Sequence, residues 1–234
     1  MDFSGKHVVV TGGTGALGTA VTGMLLAAGA SCTVPYVHEA EMQRFPHGGN
    51  SKVKLIAVSD LADEAAVAKL FTGITPWASI HIAGGFAPGK VAETDKAALM
   101  AQIDGNLVSC FLCCRAAVKA MLAAGATTGG RIVNVAARPA LEPRSGAGMS
   151  AYTIAKNGVA TLTIALAEEV AKDGILVNAV APSIMDTAAN RKAMPKANFD
   201  LWPKVEDVAA TIVFLASPDN RVTRGGIVPV YGKS

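Results

Sequence analysis

Tyr152 and Lys156 stand four residues apart in the segment Ala151-Tyr152-Thr153-Ile154-Ala155-Lys156. On a helix that spacing places both side chains on one face. A phenol ionises near pH ~10, too high to move protons readily at neutral pH. A nearby ammonium favours the phenolate and lowers that value. The pair therefore predicts a general acid/base, with Tyr152 protonating a developing alkoxide or taking the proton back in the reverse direction. A surface Tyr and Lys would show the same spacing, so the surrounding elements must decide.

A second chemical feature lies near the N-terminus, in Thr11-Gly12-Gly13-Thr14-Gly15-Ala16-Leu17-Gly18. It follows an apolar strand pattern and opens a helical one. Glycines there allow a tight turn and close backbone approach, and the helix start offers N–H groups to an anion. The strand before and helix after point to a dinucleotide pyrophosphate site, with Gly12, Thr14, Gly15, Ala16, Leu17 and Gly18 as its contacts.

These residues need a frame. Seven short β-branched runs, KHVVVT, SCTVPY, KLIAV, SIHIAG, RIVNVA, ILVNAVAP and GIVPVY, are continuous rather than alternating, as buried strands are. Helical patterns fill the intervals at 15–29, 38–45, 62–72, 94–124 (with a break near Gly105), 150–172 and 205–216. Such alternation predicts an α/β chain, a three-layer doubly wound Rossmann fold with a seven-stranded parallel sheet and helices on both faces. No linker or repeat interrupts it, so 1–234 is expected to form one domain. The stretch 182–204, with three prolines and two aromatics, is the most irregular. It follows a strand end, where a substrate lid is expected.

The whole chain resembles the short-chain dehydrogenases/reductases. The glycine turn is similar to that family's T-G-x-x-x-G-x-G, with Ala16 at the second of its three glycines and Gly15 one position early. Asp60 and Leu61, in VSDLAD, resemble the family's adenine-edge segment. His81-Ile82-Ala83-Gly84-Gly85 resembles its N-N-A-G turn, which implies cofactor contacts from Ala83 and Gly84. Asn106 in IDGNL is similar to its catalytic asparagine. Pro182, Ile184 and Thr187 in NAVAPSIMDT resemble the segment beside the nicotinamide amide, with Ser183 at the usual glycine. The resemblance implies an NAD(P)-dependent oxidoreductase. Tyr152 would be the acid/base, Lys156 would also hold the nicotinamide ribose, and Asn106 would line a proton-relay water.

One family residue is missing. The fifth strand commonly ends in two serines, the second bonding the substrate oxygen, but here Ala136 and Ala137 end it. Ser145 and Ser150 lie in the following loop and are weak substitutes. Loss of one such donor costs on the order of a hundredfold in rate without removing hydride transfer. The family's dihydropteridine reductase branch also lacks this serine. Its segments are similar to AARPALEPRSGAGMSAYTIAKNGV and to DTAANRKAMPKANFDLW. The expected substrate is thus a small carbonyl, alcohol or C=N compound, with a quinonoid dihydropterin as one alternative. A non-catalytic dinucleotide-binding regulator is the other, supported by the lost serine and opposed by the retained Asn106, Tyr152 and Lys156.

The cofactor form turns on the end of the second strand, where an acidic residue would bond a ribose 2′-hydroxyl and repel a 2′-phosphate. Tyr36 holds that position and Val37 follows, so neither determinant is present. The missing carboxylate tips the expectation toward NADP over NAD, and Glu39 is placed to reverse it.

Composition bounds the rest. The 234 residues are 51% apolar and 17% charged, with net charge +3. There is no basic run interleaved with aromatics, which argues against a nucleic-acid partner. No uninterrupted apolar run approaches the ~20 residues a membrane span needs, and the start lacks a secretory pattern, so no membrane association and a cytoplasmic location are expected. Cys32, Cys110, Cys113 and Cys114 lack metal-site spacing with His7, His38, His47 or His81, so reduced buried thiols and no metal are expected. The apolar helices 105–124 and 150–172 are expected to pair across a homo-oligomer interface, dimer or tetramer. Phe199 and Trp202 are either lid aromatics or loop anchors.

Overall fold

The structure is a computed structural model that describes residues 1–125 and 129–234. Seven strands form one sheet: β1 His7–Thr11, β2 Ser31–Tyr36, β3 Val53–Ala57, β4 Ala78–His81, β5 Gly130–Val135, β6 Ile175–Pro182 and β7 Ile227–Val230. Their order is β3-β2-β1-β4-β5-β6-β7, and every pairing is parallel. Strand order reverses between β1 and β4. At such a switch point the two flanking crossovers leave on opposite faces and open a crevice above the strands' C-terminal ends. The glycine turn, Tyr36, Ile82, Ala136 and Pro182 all lie at or just past those ends.

Period-two side-chain alternation sorts the core into two layers. Val8 and Val10 of β1 pack with Leu17, Val21 and Leu25 of α1 (Ala16–Ala27) and with Val208 and Ile212 of α9 (Val205–Ala216). Val9, between them, faces the opposite layer. There it joins Val67 and Leu70 of α3 (Glu64–Phe71), Cys113 and Ala117 of α5 (Ser109–Ala123), and Val159 and Ala160 of α7 (Ser150–Glu169). The three-layer doubly wound expectation is met. The β1–β2 ladder stops at Thr33, and Pro35, which has no amide to donate, sits just beyond it.

Four details depart from the sequence expectation. The break near Gly105 is no break: α4 (Lys96–Ile103) runs through a π-helical turn, Asp104–Val108, directly into α5. One extra residue per turn absorbs the weak helix former and bulges the helix at Asn106. The resulting helix, Lys96–Ala123, spans 28 residues and is long and apolar enough to cross a membrane by length and composition, although no continuous apolar run was expected. Here its inner face packs on the sheet and α7. The third departure is the loop after β5. It carries α6 (Arg138–Leu141) and a 3-10 turn, Pro143–Gly146, where the sequence pattern suggested only a loop. Finally, the 182–204 region carries α8 (Ala188–Ala193) and a 3-10 turn, Phe199–Leu201. Its base is closed by the Asp186 amide donating to the Pro203 carbonyl at 3.0 Å.

Candidate active site

The glycine turn is shaped by close approach. Gly12 has φ +66°, and a Cβ there would lie 2.6 Å from the Ala83 amide nitrogen. A Cβ on Gly18 would lie 2.1 Å from the Gly12 carbonyl oxygen. These two positions let β1, β4 and α1 converge with backbone against backbone. Gly15 is the N-cap of α1 and no side chain caps it. The first helical bond runs from the Thr19 amide to the Gly15 carbonyl, so the amides ahead of it have no partner within the helix. They border a cavity of about 720 Å³. A pyrophosphate fits this uncapped, positively poled end.

The cavity is lined by Gly12, Thr14, Gly15, Ala16, Leu17 and Gly18 from the turn, as expected for that element. Tyr36, Leu61, Ala83 and Gly84 also line it. Asp60, Ile184 and Thr187 line neither this cavity nor the next. The Asp60 carboxylate accepts from the Ala62 amide at 2.9 Å. Thr187 Oγ1 caps α8 by accepting from the Asn190 amide at 3.1 Å. Ile184 is 45% exposed. Glu39 is exposed as well, whereas Glu41 and Arg44 of α2 (Glu39–Arg44) reach the cavity wall. Sequence reasoning missed both, because only the α2 crossover brings them over the turn.

A second cavity, about 210 Å³, meets the first along Leu17, Ile82, Gly84 and Met185. Asn106, Tyr152, Lys156 and Pro182 all line it. Lys156 is buried, and its Nζ donates to the Val135 carbonyl at 2.8 Å. Asn106 is buried too. Its Nδ2 donates to the Gly85 and Gln102 carbonyls, both at 3.0 Å, and its Oδ1 accepts from the Gly85 amide at 3.2 Å. The amide group thus clamps the turn after β4 to the π-helical bulge. Gly84 has φ +158°, and a Cβ there would stand 2.5 Å from Asn106 Oδ1.

The electrostatics differ from the sequence expectation. Burial raises the Tyr152 phenol to about 12 and lowers Lys156 to about 8, with Cys110 partly offsetting the latter. The ammonium, tethered to Val135, sits 5.9 Å from the Tyr152 ring centroid. At that reach desolvation of each group outweighs their mutual effect. Phe86, which the sequence reading did not single out, meets the Tyr152 ring edge-on with centroids 5.1 Å apart.

Ala136 and Ala137 form the wall where a serine pair would stand. Ser145 is exposed and donates to the Glu142 carbonyl at 2.8 Å, while Ser150 begins α7; neither lines the cavity. The serine that does is Ser183, which donates to the Tyr231 carbonyl at 3.0 Å.

Beneath the site, topology assembles what sequence spacing did not. The ligating atoms of His81, Cys110 and Cys114 lie within 4.8 Å of one another. Asn134 Nδ2 donates to Thr163 Oγ1 at 2.9 Å, so its Oδ1 is the acceptor facing His81 Nδ1 at 2.8 Å. His81 Nδ1 then carries the proton, and Nε2 accepts from Ser79 Oγ at 2.8 Å. The nitrogen facing the sulfurs is therefore protonated and already paired. The group is a satisfied polar network that fixes the ends of β4 and β5.

Comparison with known proteins agrees with this geometry. Residues 6–198 match the short chain dehydrogenase family. The chain is 30% identical to the 2,3-dihydroxy-2,3-dihydro-p-cumate dehydrogenase of Pseudomonas putida, over 100% of this chain and 96% of that protein. A short-chain type dehydrogenase/reductase from Mycobacterium ulcerans superposes with TM-score 0.88 at 24% identity, covering 100% of this chain and 90% of that one, a likeness of fold. ElxO, solved with NADP bound, superposes with TM-score 0.86 at 26% identity, covering 97% of each chain. A seven-stranded doubly wound sheet, an uncapped glycine turn at its switch point and a family match over most of the chain lead to one conclusion: this protein belongs to the short-chain dehydrogenase/reductase family and is an NAD(P)-dependent oxidoreductase.

Proposed function

We propose that the chain interconverts a small carbonyl, or a C=N compound, and its reduced form in the 210 Å³ cavity. The supporting observation is that Tyr152, Lys156 and Asn106 share that cavity, which opens at Gly84 and Met185 into the one above the glycine turn. When bound along that turn, the nicotinamide dinucleotide supplies or accepts the hydride. Tyr152 Oη holds the proton that the substrate oxygen or nitrogen gains. Lys156 is anchored at Val135 and offers its other N–H bonds to the cavity. Asn106 positions the Gly84–Gly85 backbone between the two cavities. Leu17, Ile82, Ala137 and Met185 exclude water from the reacting face.

The apolar Ala136–Ala137 wall and the edge-on Phe86 favour a planar, conjugated substrate over one that needs a second hydroxyl donor. A quinonoid dihydropterin is one compound of that class. The 182–204 segment reaches the cavities only through Pro182, Ser183 and Met185, which suits a lid hinged at its strand end. The exposed Phe111 of α5 and Ile154 and Ile164 of α7 support a homo-oligomer joined through those helices.

The test is oxidation of NADH and NADPH against a panel of ketones, imines and quinonoid pterins. Turnover of a C=O or C=N compound that disappears in Tyr152→Phe supports the reading. Tight dinucleotide binding without turnover of any panel member would favour a non-catalytic binding protein instead.

A further inference from the structure

We propose that Glu41 sets the cofactor choice of this chain, selecting the dinucleotide that has no 2′-phosphate. The inference rests on the dinucleotide reading of the glycine turn and extends it. Tyr36 and Val37, at the end of β2, carry no charge for the task. The crossover helix α2 supplies one instead. Glu41 Oε2 accepts a hydrogen bond from Thr14 Oγ1 at 2.8 Å, joining α2 to the glycine turn across 27 positions of sequence. Glu41, Thr14, Tyr36 and Val37 all border the same cavity.

The cavity has two distinguishable ends. One passes Gly84 and Met185 toward Tyr152, where hydride chemistry takes place. The pyrophosphate sits over the start of α1. The remaining end, under Tyr36 and Glu41, is left for the adenosine ribose. A ribose hydroxyl there can donate to the Glu41 carboxylate. A 2′-phosphate would bring up to two negative charges against it, and like charges juxtaposed in a partly enclosed site repel.

Arg44 is the counterweight. It lies one turn further along α2, also on the cavity wall, and its Nε donates to the Ala40 carbonyl at 3.0 Å. Its remaining N–H groups make no other hydrogen bond among the described residues. With the carboxylate neutralised, that guanidinium is the group left to receive a phosphate.

The experiment is fluorescence titration of the full chain with NADH and with NADPH, for wild type, Glu41→Gln and Glu41→Gln/Arg44→Ala. Glutamine keeps an oxygen for the Thr14 hydroxyl, so the latch to the turn survives while the charge does not. Wild type should bind NADH at least about tenfold more tightly than NADPH, and Glu41→Gln should raise NADPH affinity about tenfold. The double variant should lose that gain. Equal or tighter NADPH binding by wild type, or an unchanged ratio in Glu41→Gln, would overturn the proposal while leaving the dinucleotide site intact. Weakening of both cofactors by one factor would reduce Glu41 to a structural latch and overturn it too. Binding of neither to wild type would remove the dinucleotide reading and this inference together.

Discussion

Lys156 shows how one buried charge ties the proposed chemistry to stability. Burial holds its folded-state pKa at about 8, below the ordinary 10.5. Between those values the unfolded chain binds more protons, so this residue makes stability rise as pH climbs through that window. Replacing it with Met should remove that contribution. The gain in unfolding free energy between pH 7.5 and 9.5, from urea titrations, should be smaller in Lys156→Met than in wild type; equal gains would contradict the burial account. Gly84 is constrained in a different way. A methyl group there meets Asn106 Oδ1 at 2.5 Å, on backbone with φ +158°. Gly84→Ala should displace the asparagine clamp and cost about 1–3 kcal/mol of stability, with turnover reduced further than cofactor affinity. Paired Kd and kcat measurements would show whether the loss falls there. The Tyr–Lys spacing and the absent serine were legible in sequence because both depend on local position. That Asn106 clamps the Gly84–Gly85 turn was not, because the bonds that do it join Asn106 to a turn twenty-one residues upstream.

At the scale of elements, strands and most helices were legible because each has its own apolar period. Short runs such as ILVNAVAP declare a buried strand, and β6 spans the predicted Ile175–Pro182. The misreadings fall where tertiary bonds override local preference. Gly105 suggests a helix break, yet the Asn106 side chain takes up the Gln102 carbonyl and the helix continues through a π turn. The Ser/Gly-rich loop after β5 folds into α6 and a 3-10 turn, with Asn157 donating to the Ala140 carbonyl at 3.1 Å. The His81–Asn134–Thr163 network links β4, β5 and α7, and no sequence spacing reveals it. Asn134→Ala would take the oxygen acceptor from the buried His81 Nδ1 proton, leaving it only the Cys114 sulfur at 3.4 Å, and would remove the donor to Thr163 Oγ1, whose own O–H still donates to the Val159 carbonyl at 2.8 Å. An expected loss of about 1–3 kcal/mol for an unpaired buried group, seen as a lower denaturation midpoint, checks the network; an unchanged midpoint would mean that water or rearrangement replaces it.

At the scale of the whole molecule, the parallel order β3-β2-β1-β4-β5-β6-β7 gathers turns from the N-terminal, middle and C-terminal thirds into one crevice. That convergence brings residues spread from Gly12 to Ser183 to one pair of adjoining cavities; strand–helix alternation anticipated the doubly wound sheet, while the motifs and the family resemblance supplied the chemistry. Cofactor choice was less legible. It rests on where a crossover helix lands, and Glu41 became visible only once α2 was placed over Thr14. The apolar outer faces of α5 and α7 carry the assembly proposal. Ile164→Glu should lower the molecular mass read by light scattering if those faces pair, and an unchanged mass would place the interface elsewhere. Tyr152 is proposed to move the proton in a site built to hold a nicotinamide dinucleotide. The most direct test is Tyr152→Phe, assayed for turnover of a compound the wild type reduces and titrated for cofactor binding in the same preparation. Turnover should fall by about a thousandfold while the cofactor Kd stays within about threefold of wild type; turnover close to wild type would contradict the account.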